Sequence, residues 1–141
     1  MTEAERIQIQ AEVTEAATGL LDSFRTREAE VVGEWFHPTE TSFVWGGTIN
    51  DRGGMIEHFR SFMEDFESWD GGWVETHVKV LNPDAAMVQG EFGSTIHYTN
   101  GRVLRWPGNA NFTMLMERTP EGWKVTIGDT DNGPAEVVEE G

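Results

Sequence analysis

The chain contains no cysteine. Disulfides and thiolate chemistry are therefore excluded. That suits a reducing compartment, and a cytoplasmic location is the expectation. No run approaches the roughly 18 apolar residues that a membrane span requires. The opening residues, MTEAERIQIQ, lack the apolar segment of a secretory signal. Positive charge is scarce. Ten Lys and Arg stand against 25 Asp and Glu, a formal charge of −15. Such a chain repels phosphate backbones and anionic lipid headgroups, so neither nucleic acid nor membrane is an expected partner. The charge reads first as a solubility device.

What is present points to a folded domain. The 141 residues suit a single unit with a real core. Six Trp and eight Phe argue against disorder. Residues 3–24 carry an apolar stripe of Ile9, Val13, Ala16, Ala17, Leu20, Leu21 and Phe24, spaced as a helix requires. A short second helix fits residues 28–35 and stops at His37–Pro38, because the residue before proline is pushed out of the α region. TSFVWGG reads as a strand ending at paired glycines. Met55, Ile56, Phe59, Phe62, Met63, Phe66 and Trp69 recur at three- and four-residue spacing, which predicts a third helix ending at DGG, 70–72.

The remainder alternates as strands do. Val74, Thr76, Val78 and Val80 form one face. Ala86, Val88, Phe92, Ile96 and Tyr98 form another. TNGR predicts a type I′ hairpin turn. A long strand follows over 102–118, bent at Pro107–Gly108, and TPEG closes a last hairpin. The domain is then 1–131, with 132–141 an acidic, frayed tail. Helices first and strands after predict an α+β fold, a curved, mostly antiparallel sheet with three helices across its concave side.

This succession resembles the nuclear transport factor 2-like superfamily and, within it, the SnoaL-like domains. EWFHPTETSFVWGG looks like the short helix, strand and glycine pair. GGMIEHFRSF looks like the amphipathic third helix, and FTMLMERTPEGWKV like the closing hairpin. The match covers about residues 5–131. The resemblance implies a cone-shaped fold, commonly a homodimer through the sheet, with one pocket inside the cone. Its members include isomerases, cyclases, dehydratases, epoxide hydrolases and non-catalytic binding modules, so fold alone gives no function. Many related domains end in a W-x-I-x-H-x-H strand. The matching residues here are Trp123, Val125, Ile127 and Asp129, without either histidine. SFVWGG lacks the carboxylate that ketosteroid isomerases carry near the end of the first strand. Asp129 and Arg105 imitate two members of the Asp-Arg-Asp set of the epoxide hydrolases.

Asp129 is the leading candidate for chemistry. Strand parity puts it on the face of Trp123, Val125 and Ile127. A carboxylate there is either a water-exposed rim group or a general acid/base raised in pKa by burial. Asp131 follows on the same face. Tyr98 shares the face of Phe92 and Ile96, and would offer a hydroxyl to a ligand carbonyl. Trp45 and Trp106 adjoin glycines as aromatics at a pocket mouth do, and Phe112 shares the parity of Trp106. Arg105 and Asn111 would supply polar contacts. His97 and His77 fall on polar faces, and no two histidines have zinc spacing. No P-loop, dinucleotide motif or nucleophile elbow occurs. Neither metal nor cofactor is expected. The reading is a protein that binds a small hydrophobic molecule in an aromatic pocket, with lyase, isomerase or hydrolase chemistry through Asp129. The alternative is a non-catalytic ligand-binding or dimerisation module.

Overall fold

The computed structural model describes all 141 residues. Helix α1 spans Glu3–Asp22. Thr2 caps it, its hydroxyl accepting from the Glu5 amide at 3.1 Å, and Glu3 and Glu5 complement the positive end of the helix dipole. Its buried face is Ile9, Val13, Ala16, Ala17, Leu20 and Leu21. A 3-10 turn, Ser23–Thr26, follows and ends at Arg27 with φ 58°. Helix α2 is a short Ala29–Gly33. Helix α3, Arg52–Met63, is capped by Asp51, whose carboxylate accepts from the Gly54 amide at 2.8 Å.

The strands are β1 (Ser42–Trp45), β2 (Thr48–Asn50), β3 (Phe66–Asn82), β4 (Ala85–Tyr98), β5 (Arg102–Thr119), β6 (Gly122–Asp131) and β7 (Glu136–Glu140). They form one sheet in the order β2-β1-β6-β5-β4-β3, with β7 paired to β5. Only β1 with β6 is a parallel pair. The sheet is curved and open, and the three helices fill its concave side. Their buried residues join those of the strands in a single core.

Three of the sheet's six register shifts decide which side chains face the helices. The first lies between Phe66 and Ser68, the second between Trp73 and Glu75, and the third leaves Thr126 unpaired, since Leu115 pairs Ile127 while Met116 pairs Val125. The first accounts for the helix-like spacing that carried the expected third helix on to Trp69, whereas α3 ends at Met63. Phe66 and Trp69 are both buried strand residues three apart, a spacing that imitates a helix. DGG therefore lies within β3. The second takes Val74 out of the expected row, while Val78 and Val80 face the core as expected. Trp73 packs inward and its indole nitrogen donates to Ala17 O at 3.1 Å, while Val74 is exposed. Gly90 leaves room for that ring, because a Cβ there would stand 2.3 Å from it.

Two further expectations are corrected. The TNGR turn has positive φ at Gly101 alone, and the Gly101 amide donates to Tyr98 O at 3.0 Å. It is thus a three-residue loop closed by a glycine, not a type I′ turn. Residues 136–140 are a strand, not a frayed tail. Glu140 and Glu136 stand in register with Arg102 and Arg105, and opposite charges across a strand pair favour the pairing.

Candidate functional site

Between the helices and the concave face lies a cavity. Leu21 and Phe24 contribute from α1 and its following turn, and Met55, Phe59 and Phe62 from α3. The sheet supplies Trp45, Trp69, Phe92, Ser94, Trp106, Phe112 and Thr130, and the segment after β6 adds Asn132. Ten of these 13 residues are hydrophobic and none is ionisable. The rings contact one another edge-on or tilted. Trp45 lies 5.1 Å from Phe59 and 5.4 Å from Phe62, and Phe92 lies 5.1 Å from Phe112. Such pairs are worth about 0.5–1.5 kcal/mol beyond their burial. The rings nearly fill the space. Free volume for a water-sized body is about 30 Å³, whereas the whole cleft with its open mouth spans about 460 Å³. A molecule larger than water enters only if the aromatic walls part.

The walls are fastened from outside. The Arg25 guanidinium lies 5.2 Å from the Trp69 ring and donates to Gly71 O at 2.6 Å. His58, on the exposed side of α3, stacks on Trp45 at 6.0 Å. The Trp106 indole nitrogen donates to Gly133 O at 3.3 Å, which ties this wall to the segment joining β6 and β7.

The polar members of the lining are few. Thr130 Oγ1 donates to Asn111 O at 2.9 Å. Ser94 is only 8% exposed, and its hydroxyl takes no partner from the protein. No sealed side-chain oxygen or nitrogen is left unpaired anywhere in the fold, so the Ser94 oxygen opens on free space. Ser94 lies on the inward face, between Phe92 and Ile96 in β4, and borders both this cavity and a shallow outer cleft beside Gly71 and Trp106.

The sequence candidates divide. Trp45, Trp106 and Phe112 line the cavity. Asp129 does not. The bulge at Thr126 turns β6 over, so Gly128, Thr130 and Asn132 point inward while Ile127, Asp129 and Asp131 point outward and are exposed. Gly128 leaves room for Phe43, whose ring would stand 2.8 Å from an added Cβ. Asp131 accepts from the Gly133 amide at 3.0 Å in a local turn. Arg105 and Asn111 are exposed on the outer face. Tyr98 is half-buried beyond the cavity, its ring edge-on to Phe66 at 5.5 Å. Burial pushes its phenol above the usual tyrosine range, against the nearby Arg102 charge and helped by Asp65. Sequence reasoning missed Ser94, Thr130 and Asn132. Ser94 was within reach, as the single hydroxyl in an inward Phe92–Ser94–Ile96 alternation.

No helix is long and apolar enough to cross a membrane. No curated protein sequence matches this chain significantly. Solved structures share its fold. A candidate scytalone dehydratase from Novosphingobium aromaticivorans superposes with a TM-score of 0.85 at 8% identity, covering 98% of this chain and 93% of its own. A Salmonella enterica nuclear transport factor 2-like protein gives 0.77 at 18% identity, covering 95% and 97%. The hexachlorocyclohexane dehydrochlorinase of Novosphingobium barchaimii gives 0.75 at 10%, covering 99% and 96%. At these identities the likeness carries the fold alone. The profile of the SnoaL-like domain matches residues 13–127, most of the chain. With the helix order and the curved mixed sheet, this places the chain in the SnoaL-like domain family.

Proposed function

We propose that this protein binds a small, neutral, largely aromatic molecule inside the cone and performs no acid–base chemistry on it. The observation that carries this reading is the lining, ten hydrophobic residues and no ionisable one. Proton transfer needs a titratable group within hydrogen-bond reach. Asp129 is turned away, and Tyr98 lies beyond the wall. A charged ligand would lose its hydration without gaining a counter-charge, which is costly. A flat apolar ligand would exchange water for aromatic contacts, with the rings parting to admit it. The test is titration of the full chain with toluene, followed by tryptophan emission and calorimetry. Saturable binding at one site per chain is expected. Absence of binding up to the solubility limit overturns the reading.

We also propose that two chains pair through the outer face of the sheet. Met87, Leu115 and Ile127 stand side by side on three neighbouring strands in one register, and Ile127 is 57% exposed. Gln89, Glu91, Thr95 and His97 lie on the same face of β4 and would form a polar surround.

A further inference from the structure

Resting on the binding reading above, we infer that Ser94, with Asn132, forms the polar end of the cavity and selects aromatic molecules that carry one neutral hydroxyl or carbonyl oxygen. Ser94 is more than nine-tenths buried and its hydroxyl is without a protein partner. A buried hydroxyl that bonds to nothing weakens a fold, and most such groups are satisfied. The free volume of about 30 Å³ in the cavity that Ser94 lines is room for about one water. A ligand oxygen takes the same position when the cavity is occupied. Asn132 lines the same cavity from the segment after β6, and its amide offers both donors and an acceptor. The pair therefore accommodates a phenol, which donates and accepts, or a ketone, which only accepts. The rest of the lining is rings and methyl-bearing side chains, which hold the flat body of the ligand. Ser94 is not a nucleophile here, because no ionisable residue of the lining can take its proton.

The experiment compares two probes of nearly equal shape, p-cresol and toluene, on the full chain. A purely apolar cavity prefers toluene, since the phenol must give up its water. The polar end predicts that p-cresol binds at least as tightly as toluene. It also predicts that Ser94→Ala lowers the p-cresol-to-toluene affinity ratio by about fivefold, the range of one net hydrogen bond. Ser94→Cys, which keeps the shape and weakens the hydrogen bond, lowers the ratio in the same direction. It serves as the second variant should alanine unsettle the fold. Toluene bound more tightly than p-cresol by the wild type, or a ratio unmoved in the variants, overturns the inference and leaves the binding reading standing. Binding of neither probe overturns both.

Discussion

Val125 and Ile127 are two residues apart in one strand, yet they lie on opposite faces of the sheet. Val125 is fully buried and Ile127 is 57% exposed. The bulge at Thr126 separates them and carries Asp129 outward with Ile127. Asp129→Asn is therefore expected to leave p-cresol affinity within about twofold and stability within about 0.5 kcal/mol, as for an ordinary surface site. Deleting Thr126 removes only the extra residue: Val125 stays inward opposite Met116, while Ile127 and Asp129 stay outward opposite Leu115 and Thr113, now in plain alternation. The expected cost is that of a buried threonine and its hydrogen bond to Glu117 at 2.8 Å, about 1–3 kcal/mol, with p-cresol binding retained. Urea denaturation and binding of both variants check the pair, and a folded deletion that loses binding would show that the bulge does more than accommodate one extra residue.

Much of the architecture was legible. Apolar periodicity and turn residues placed α1, the body of α3 and the long strands, because these signals are local. The site was less so. Trp45, Trp106 and Phe112 could be named because large aromatics rarely stay in water. The facing of Asp129, Thr130 and Asn132 could not, because one added residue reverses parity and nothing in KVTIGDTD marks which one is unpaired. The same ambiguity made Phe66 and Trp69 look helical. The pairing of residues 136–140 depends on Arg102 and Arg105, far away in the chain, and no local reading contains it.

Glu12 ties α1 to the closing hairpin. Its carboxylate accepts from the Trp123 indole at 3.3 Å and pairs with Arg118 at 3.2 Å, and Arg118 in turn lies 4.8 Å from the Trp123 ring. The Trp123 hydrogen bond, with help from Gln8 and Arg118, holds this carboxyl below its usual range. A lowered folded pKa means stability that is present above the unfolded value and lost as pH falls through the folded one. Glu12→Gln is expected to cost about 1 kcal/mol at pH 7. The difference from wild type should shrink as pH drops below the ordinary carboxylate range near 4. Thermal melts across pH 3 to 7 measure it, and a constant difference would contradict the assignment.

The paired-sheet assembly is tested by sedimentation. Glu91, Asp129 and Asp131 share the outer face with the Met87, Leu115 and Ile127 row, so two copies bring like charges together. Salt screens such repulsion. A dimer of the 15.8 kDa chain should tighten on raising salt from about 0.05 to 0.5 M, and Ile127→Asp should abolish it. A monomer at micromolar concentration under both conditions would reject the proposal.

The segment after β6 is the part of the wall best placed to move. The segment 132–135 passes β5 at Trp106 and Asn109, Asn132 enters the cavity lining, and Gly133 holds Trp106 through its carbonyl. Beyond them β7 is exposed at all five residues, so little buried surface fastens it. With so little free volume inside, entry is slowed by whatever holds the rings together, and a binding event that waits on such a rearrangement has a reduced association rate. Removing residues 132–141 is expected to leave the circular dichroism of the domain intact and shift tryptophan emission to the red as Trp106 is freed. Association of p-cresol in stopped-flow should speed up by about an order of magnitude, and the preference over toluene should fall because Asn132 is lost. An unchanged association rate in a folded truncation would show that entry lies elsewhere, between Trp45 and Phe62.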